Sequence, residues 1–475
     1  MKKIISCGHE LTALAAHETL KKGGNAFDAL VSAAFSSFST EPMLTSGAGV
    51  GAALLRFPDK EIKAVDFLAD FPSRGKDPHI KAVKKVVSFG DETQAFYLGY
   101  GSLGVPGNLD GLLHIHKNYG ELELKDVLHP AISCARGHKL NSLQALTFRI
   151  LEAFCLYSKE SMEIFAPRGR LLKEGEALRN RKFAGFLELL AEDKKGALRL
   201  YHKRIKETLK GKKSSLVFDD IKSYKVFERE PLSVEYSGNE INLFPPPSAG
   251  GPLIAYGLTL LEKEKPGKLK HNSAEHIRLL VKVMQACDKK RTEEFFRNLL
   301  GGTTHISIID GKGNAVAATT SNGQGAGVMI EGTGIMLNNF AAEPDLIQYK
   351  KLYRARKRMT TMMSPTIISK DGKVNAVLGS GGSNRIRSAI MQAISNMIDF
   401  RMSSEKAANA SRVHFEDNLL QLEYGIKKSV CNGLAKEYKT NVWSKKNLFF
   451  GGVHIATPQG GGGDKRRGGY VIVSR

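Results

Sequence analysis

A threonine that directly follows two glycines is the first residue in this sequence whose surroundings suggest chemistry. Residues 301–305 read GGTTH, and a strand-like pattern follows them. A threonine hydroxyl is a weak nucleophile at neutral pH, but an N-terminal α-amine, with a pKa of about 7.7–8, can act as its base. Because Gly302 has no side chain, its carbonyl group could bend towards the hydroxyl of Thr303. Attack there would convert the peptide bond into an ester, and water would then release an N-terminal threonine.

The same five residues also have a purely structural interpretation. A Gly-Gly turn before an edge strand accounts for them, because threonine favours β-strands. Cleavage one residue later, which would make Thr304 the nucleophile, is a further alternative. This segment by itself favours the structural interpretation, so evidence for chemistry has to come from the rest of the chain.

The elements around this segment alternate between helices and strands. Asn25 resembles a helix N-cap, with Asp28 three residues later as in a capping box. The turn sequence DGKGN at 310–314 predicts a hairpin, and the same strand–turn–strand plan recurs at 364–379. A helix is predicted from Ile386 onward. Interleaved helices and strands in both halves indicate a mixed α/β or α+β protein.

Length and composition exclude several classes of protein. The chain has 475 residues, of which 42% are hydrophobic, so it can bury a large core in one domain or in two close lobes. No run of about 18 uncharged apolar residues is present, and MKKIISCGHE lacks the apolar run of a signal peptide. We therefore expect a cytoplasmic protein without a membrane span. The five cysteines form no CxxC pair, and the 13 histidines show no HExxH spacing, so neither a disulfide framework nor a metal site is predicted.

The net charge of +22 raises the question of an anionic partner. Basic residues cluster at 202–213, 351–358 and 464–469, which is one feature of proteins that bind nucleic acid or anionic membranes. However, no aromatic residues are interleaved as a stacking platform, and no helix-turn-helix or zinc-finger spacing occurs. Solvated basic surfaces without a partner are the favoured interpretation, and nucleic-acid binding is not expected.

A series of motifs, in order along nearly the whole chain, resembles the gamma-glutamyltransferase (gamma-glutamyl transpeptidase) family of N-terminal nucleophile hydrolases. The motifs before the threonine pair are GGNAFDALVSAAF, EPMLTSGAGVGAALL, GSLGVPG, HPAISCARGH and FPPPSAGG. Those from the threonine pair onward are TTHISIIDGKGNAVAATTSNGQGAG, GTGIMLNN, MSPTI, LGSGGSNRI and RRGG. Each motif is weak evidence alone, but their shared order reverses the preference for a purely structural interpretation.

The resemblance implies an α+β fold of the four-layer αββα sandwich type and self-cleavage between Gly302 and Thr303. The products would be a large subunit, 1–302, and a small catalytic subunit, 303–475, which stay together as one globule. The implied reaction cleaves a small γ-glutamyl, glutathione-like amide through an acyl–Thr303 ester and passes the acyl group to water or an amine. No metal or organic cofactor is implied.

The resemblance also implies roles for individual residues. Thr320 would form a hydrogen bond near the new α-amine, and Asn322 would accept one from the amino group of the substrate. Glu343 falls where the family carries an acidic residue that holds the γ-glutamyl ammonium group. Thr361 falls where a serine helps to hold the substrate α-carboxylate.

Consecutive backbone amides would stabilise the oxyanion of the reaction in the glycine-rich segment GSGGS at 379–383. The family commonly reads GSPGGSRI where this chain reads GSGGSNRI. The amides could therefore belong to Gly381 and Gly382, or to Gly382 and Ser383, and all three residues are candidates. Thr304 and His305 are interpreted as strand residues with at most supporting functions.

One departure from the family pattern concerns the substrate carboxylate. Family members carry an arginine after an Asp-Phe pair, whereas Leu68 follows Asp66 and Phe67 here. Leucine cannot replace a bidentate guanidinium group. Either Arg385 or Arg358 compensates, or the substrate has no free α-carboxylate at that place.

The departure motivates an alternative activity. An acylase for a bulkier dicarboxylic-acyl amide would not need the missing arginine. A third interpretation, of another class, is an unprocessed basic scaffold or nucleic-acid-binding protein. It would remain a single uncleaved chain, whereas either enzyme would be cleaved at Thr303.

Overall fold

The computed structural model describes residues 2–88, 93–294, 302–342 and 353–475. Two antiparallel β-sheets pack face to face at its centre, and helices cover the outer face of each sheet. The architecture is the four-layer αββα sandwich that the resemblance predicted. None of the helices in this described part of the chain is long and apolar enough to cross a membrane.

The first sheet contains seven strands and draws on both ends of the chain. Along it, Ala315 and Ala317 face the second sheet, while Val316 and Ala318 face the helices. Both faces are buried, which explains why this strand lacks the polar alternation of a half-exposed strand. The strands, in spatial order, are Tyr470–Ser474, Lys3–Cys7, Gly302–Ile309, Ala315–Gly323, Val50–Arg56, Ile62–Phe67 and Phe227–Arg229.

The second sheet has six strands, and every neighbouring pair is antiparallel. Its inner face packs on the first sheet, and a glycine at 379 allows the ring of His305 to approach, since a Cβ atom there would lie 2.3 Å from the ring. The strands, in spatial order, are Gly460–Gly462, Gly452–Thr457, Lys373–Gly381, Thr366–Lys370, Asn239–Leu243 and Leu232–Tyr236.

Helices of the first half of the chain cover the first sheet. The central one, Ala26–Thr40, is buried along its entire length and begins with the predicted capping box, in which Asn25 and Asp28 bond each other's backbone. The helices of this layer are Glu10–Lys21, Ala26–Thr40, Asn108–Tyr119, Leu124–Arg136, Arg181–Glu192 and Lys194–Leu209.

Among the residues that the structure describes, three longer helices cover the second sheet, namely Gly250–Glu264, Ala274–Glu294 and Arg385–Ile398. The last of them confirms the helix predicted from Ile386. The remaining elements are short. The helices among them are Ser142–Ile150, Glu152–Cys155, Lys159–Phe165, Phe218–Ser223, Ser404–Asn409 and Lys428–Leu434, with 3₁₀ turns at Tyr100–Ser102, Pro266–Lys268, Phe340–Ala342, Leu448–Phe450 and Lys465–Arg467. The strands among them are Val83–Ser88, Thr93–Leu98, His138–Lys139, Ala177–Leu178, Met329–Ile330, Ile335–Met336, Val413–Glu416, Leu419–Leu422 and Lys439–Val442.

Both predicted hairpins are present. In the first, the Asp310 carboxylate accepts hydrogen bonds from the backbone N–H groups of Lys312 and Asn314 at 2.8 and 2.9 Å, which closes the turn between the two central strands. We call these the Thr303 strand (Gly302–Ile309) and the Asn322 strand (Ala315–Gly323). In the second, the turn at 371–372 joins Thr366–Lys370 to Lys373–Gly381.

Candidate active site

The peptide bond between Gly302 and Thr303 lies at an irregularity in the first sheet. Gly302 pairs with Gly323, whereas Thr303 pairs with Ser321, so Asn322 is left without a partner across the ladder. Such a β-bulge bends the strand and re-aims side chains, and bulges are frequent beside active sites. The backbone of the first sheet therefore distinguishes this peptide bond from every other bond of the Thr303 strand.

The side chain of Ser321 contacts both residues of that peptide bond. Its hydroxyl donates to the carbonyl oxygen of Gly302 at 2.6 Å and accepts from the backbone N–H of Gly323 at 3.1 Å. The hydroxyl of Thr303 lies 3.4 Å from the hydroxyl oxygen of Ser321 and donates to it. A hydrogen bond to a carbonyl oxygen polarises the group and would stabilise an oxyanion formed there. Ser321 is thus placed to assist an attack by Thr303 on Gly302.

Ser321, rather than Thr320, lies beside the hydroxyl of Thr303 in this structure, and the expected hydrogen bond of Thr320 near the new α-amine stays a prediction. Thr320 pairs with Thr304, and its hydroxyl accepts a hydrogen bond from Thr45 at 2.9 Å. Successive side chains of a strand point to opposite faces, so Thr320 and Thr303 do not share a face. This pairing could have been found in the sequence. If residues 309 and 315 pair across the hairpin turn, counting outward along both strands pairs residue 303 with residue 321.

A small cavity of about 70 Å³ opens at Gly302. Apolar side chains dominate its wall, and two arginines and two glutamines interrupt them. The lining residues are Leu44, Gln94, Phe96, Leu143, Thr147, Ile150, Leu151, Gly302, Gln324, Gly382, Ser383, Arg385, Leu448, Phe449 and Arg467. A site of this composition suits an acyl group with an apolar body and a polar or anionic end.

The second sheet contributes the glycine-rich segment to this cavity. After the strand Lys373–Gly381, the backbone turns through Gly382, with φ of +126°, and Ser383, with φ of +58°. A left-handed conformation is uncommon for a residue other than glycine, and such residues cluster at active sites. The helix Arg385–Ile398 follows at once, and helix N-termini favour negative charge. The segment is suited to stabilise an oxyanion.

Gly381 packs directly on the candidate nucleophile. A Cβ atom at residue 381 would lie 2.0 Å from the carbonyl oxygen and 2.8 Å from the carbonyl carbon of Thr303. Both of these are backbone atoms, so the clash could be relieved only by moving one sheet relative to the other. Glycine at this position is therefore required for the observed approach of the two sheets.

We expect Gly381→Ala to slow cleavage of the Gly302–Thr303 bond by about 100-fold, because displacing a reacting group by about 1 Å has an effect of that size. The fraction of cleaved chain over time, measured by denaturing electrophoresis, checks this. Gly433→Ala is the matched control, since nothing lies within 4 Å of a Cβ atom at that helical glycine. Cleavage of Gly381→Ala at the wild-type rate would contradict the assignment.

Arg467 contacts Thr303 from the C-terminal segment. Its Nη1 donates to the carbonyl oxygen of Thr303 at 3.3 Å. The neighbouring Arg466 is buried between Asp464 and Glu423, with distances of 2.9 and 2.6 Å, and this network holds the segment in place. Burial lowers the pKa of Arg467 to about 10, so the guanidinium group remains charged at neutral pH.

Glu41 is a buried carboxylate behind the Thr303 strand that sequence reasoning missed. Both of its carboxylate oxygens, at 2.9 and 3.0 Å, accept from the hydroxyl of Thr304. Burial raises the pKa of Glu41 to about 7, although the hydrogen bond from Thr304 and the charge of Arg467 both lower it. Glu41 begins the EPMLT stretch of a motif that was noted in the sequence, but nothing in that motif indicated that the Glu41 carboxylate is buried.

His305 takes part in a buried polar network within the sandwich. Its two ring nitrogens bond the hydroxyls of Thr319 and Ser307 at 2.8 and 3.0 Å. Burial lowers the pKa of His305 well below its usual value, so the ring is neutral. These hydrogen bonds are consistent with the supporting function expected of His305. The neutral ring contributes no charge to the site.

The residues expected to hold the substrate differ in their placement. Asn322 is fully buried, and neither polar atom of its side chain has a hydrogen-bond partner among the described residues. Because buried amides normally form hydrogen bonds, the Asn322 side chain is suited to receive a ligand.

The two other residues expected to hold the substrate are not seen at the cavity. The hydroxyl of Thr361 accepts from the backbone N–H of Met363 at 3.2 Å, and Thr361 is not among the described residues that line the cavity. Glu343 lies outside the described residues.

Two arginines are candidates to replace the missing carboxylate clamp, and one of them, Arg358, already forms ion pairs with two carboxylates of the protein. Arg358 donates to Asp66 at 3.0 Å and to Asp70 at 2.7 Å. Leu68 itself is 1% exposed and belongs to the core between the sheets. Arg385, in contrast, lines the cavity and donates through Nε to the carbonyl oxygen of Phe449 at 3.0 Å. The cavity therefore contains a cation at a different place from the family clamp.

Comparisons with known proteins find relatives that match most of the chain. The family model described as Gamma-glutamyltranspeptidase matches residues 12–298 and 295–474. The Acylase ACY 1 proenzyme of a Pseudomonas species is 30% identical over 479 residues, which cover 91% of this chain and 86% of that protein. The Glutathione hydrolase proenzyme of Escherichia coli is 29% identical over 461 residues, covering 84% and 78%. The crystal structure of cephalosporin acylase from Bacillus halodurans matches the fold with a TM-score of 0.83 at 21% identity, covering 99% of this chain and 95% of that one.

Proposed function

Because the chain belongs to the gamma-glutamyltranspeptidase family, a family of enzymes, we propose that it is an amidohydrolase that cleaves itself between Gly302 and Thr303. The hydrogen bond from Ser321 to the carbonyl oxygen of Gly302, beside the hydroxyl of Thr303, carries the proposal. The Pseudomonas and Escherichia coli relatives are both called proenzymes, which is consistent with processing.

Self-cleavage would proceed by attack of the Thr303 hydroxyl oxygen on the carbonyl carbon of Gly302. The hydroxyl proton passes to the departing nitrogen as the peptide bond breaks, and an ester forms. Water then hydrolyses the ester, which leaves a carboxylate on Gly302 and restores the hydroxyl of Thr303 beside its new α-amine. Ser321 holds the oxyanion of this step.

Subunits 1–302 and 303–475 would remain associated after cleavage. The strand Lys3–Cys7 of the first pairs on one side with the Thr303 strand and on the other with Tyr470–Ser474. The residues that pair with it, 306–309 and 470–474, belong to the second subunit, so the first sheet joins the two pieces through continuous backbone hydrogen bonds.

Turnover would use the α-amine of Thr303 as the base for its own hydroxyl. The hydroxyl attacks the amide carbonyl of the substrate, the amine product leaves with the proton, and an acyl–Thr303 ester remains. Water, or an acceptor amine, then removes the acyl group. Gly382 and Ser383 line the cavity, whereas Gly381 packs on Thr303, and this favours the amides of residues 382 and 383 as oxyanion donors.

The cavity favours an acyl group with an apolar body and an anionic end. Its wall is mostly aliphatic and aromatic, and Arg385 lies over the ring of Phe449 at 4.5 Å, where it could meet a terminal carboxylate. Leu68 and the committed Arg358 provide no clamp for an α-carboxylate. The name acylase of the Pseudomonas relative supports this alternative.

A γ-glutamyl amide is the second candidate substrate, and Asn322 favours it. Its unpartnered amide oxygen would accept a hydrogen bond from the α-ammonium group of a glutamyl substrate. The name glutathione hydrolase of the Escherichia coli relative supports this candidate.

Three anilides distinguish the two candidates: glutaryl-, butyryl- and γ-glutamyl-p-nitroanilide. We expect kcat/KM for the glutaryl substrate to exceed that for the γ-glutamyl substrate by about 10-fold or more, because one unpaired charge in a binding site has at least that effect. Arg385→Met should abolish the preference for glutaryl over butyryl. The matched control is Arg401→Met, which removes an exposed arginine outside the cavity. A γ-glutamyl substrate that is hydrolysed faster than the glutaryl substrate would reverse the order of the candidates.

A further inference from the structure

The proposed mechanism makes no use of Glu41, although this carboxylate bonds Thr304, the residue after the nucleophile. Glu41 follows the buried helix Ala26–Thr40 and is 7% exposed. Both of its oxygens bond the hydroxyl of Thr304, the residue after the nucleophile. A Cβ atom at Gly8 would lie 2.3 Å from Oε1, so the strand Lys3–Cys7 and the glycine after it confine the carboxylate. A charged group is rarely confined in this way without a specific partner.

The segment 41–45, which begins with Glu41, contacts both the Thr303 strand and the Asn322 strand at the bulge. The carbonyl oxygen of Leu44 accepts from the backbone N–H of Asn322 at 3.0 Å, and the hydroxyl of Thr45 donates to Thr320 at 2.9 Å. Together with the bond from Thr304 to Glu41, these contacts hold the ends of the Thr303 and Asn322 strands from one side. The segment therefore determines where the bulge, and with it the hydroxyl of Thr303, is held.

The charges around Glu41 come from three elements. Thr304 of the Thr303 strand donates its hydroxyl, and Arg467 of the C-terminal segment contributes a positive charge. On the strand Lys3–Cys7, burial raises the pKa of the Cys7 thiol, and the charge of Glu41 is near enough to raise that pKa further, so the thiol is neutral. Arg467 also donates to the carbonyl oxygen of Thr303, so Glu41 and Arg467 bring opposite charges to the neighbouring residues Thr304 and Thr303.

We propose that Glu41 is a positioning residue that holds the head of the Thr303 strand through Thr304 and sets how readily the α-amine of Thr303 takes up a proton. The proposal rests on the proposed function, because the amine exists only after cleavage. A negative charge near an ammonium group favours its protonated form. Ionised Glu41 thus makes the amine a stronger base, and Arg467 limits that effect.

The sign of the effect follows from the charges. Removing the negative charge should lower the pKa of the α-amine, so the free base persists to lower pH. The acid limb of the pH profile of kcat/KM reports on this group in the free enzyme. We expect Glu41→Gln to shift the limb to lower pH by about one unit, which is the lower end of the effect that a nearby opposite charge has on a pKa.

The experiment measures kcat/KM for the uncharged butyryl-p-nitroanilide between pH 5 and 10 with processed enzyme. Glu41→Asp keeps the charge and should keep the limb near its wild-type position. Thr304→Val removes the hydroxyl that lowers the pKa of Glu41, so Glu41 is neutral over a wider range and the limb should move in the same direction as for Glu41→Gln. Asp399→Asn is the matched control and should leave the limb unchanged. Burial also raises the pKa of the Asp399 carboxyl, but this carboxyl accepts hydrogen bonds from Tyr236 and Ser395, on the side of the second sheet.

Glu41→Gln with an acid limb at the wild-type pH would overturn the proposal, even if its kcat is reduced, because a merely structural residue would produce that result. If Glu41→Gln does not fold or cleave, an unshifted limb in Thr304→Val overturns it instead. N-terminal sequencing of the small fragment from the wild-type protein reports separately on the proposed function. A wild-type chain that stays uncleaved overturns both proposals, whereas a cleaved, active wild type with an unshifted Glu41→Gln limb overturns only this one.

Discussion

Thr303→Ala is expected to yield a single polypeptide of 475 residues with no amidase activity, whereas the wild-type protein yields fragments 1–302 and 303–475. The substitution removes the attacking oxygen, and without cleavage the α-amine that serves as base never forms. Loss of a catalytic nucleophile typically reduces turnover by at least about 10⁴-fold. Denaturing electrophoresis and hydrolysis of an acyl anilide measure the two effects.

Thr303→Ser is the matched control for this prediction. Serine keeps a hydroxyl at the same position and would keep an α-amine after cleavage, so two fragments and measurable activity are expected. N-terminal sequencing of the small wild-type fragment should begin at Thr303. A fragment that begins at Thr304, or a Thr303→Ala protein that still separates into two fragments, would contradict the assignment of the nucleophile.

Ser321→Ala is expected to slow self-cleavage by about 10²- to 10³-fold, the effect of removing one oxyanion-hole donor. The hydroxyl of Ser321 is 2.6 Å from the carbonyl oxygen of Gly302, the oxygen that carries the negative charge during attack by Thr303. Alanine leaves that oxygen without the donor, and the uncleaved chain should accumulate. The rate is measured by following newly purified precursor on denaturing gels.

Thr320→Val and Ser321→Thr are matched controls for that experiment. Ser321→Thr keeps a hydroxyl and should cleave at a rate close to that of the wild type. Thr320 faces the opposite side of the strand and bonds Thr45, so its loss should affect cleavage much less than the loss of Ser321. A Thr320→Val protein that cleaves more slowly than Ser321→Ala would contradict the function assigned to Ser321.

The missing carboxylate clamp shows how one substitution is compensated in three dimensions. In the sequence, Leu68 leaves Asp66 without the expected arginine beside it. In the structure, Asp66 is paired with Arg358 and Arg229, at 3.0 and 2.7 Å. These arginines satisfy the buried carboxylate, since breaking such a pair would leave an uncompensated charge. They are consequently not available for a substrate, and the cations that line the cavity are Arg385 and Arg467.

Local features were predictable because they depend on neighbouring residues. The capping box at Asn25, the hairpin at 310–314 and the helix that includes Ile386 follow from short-range spacing, and the structure confirms all three. The fold was predictable because the motifs follow the order of a known family. The candidate nucleophile also followed from local chemistry, since it depends on one glycine and one threonine.

The sequence by itself therefore determined the elements, the architecture and the residue on which the proposed chemistry depends. Only the tertiary structure decided what surrounds that residue: the carboxylate of Glu41 lies 263 positions from Thr304 in the chain, and Arg467 lies 164 positions from Thr303. Gly381, likewise, meets Thr303 only because two sheets pack face to face. Hydrophobic patterns specify which face of a strand is buried, but they do not specify which distant side chain meets it, because that depends on how all the layers pack together.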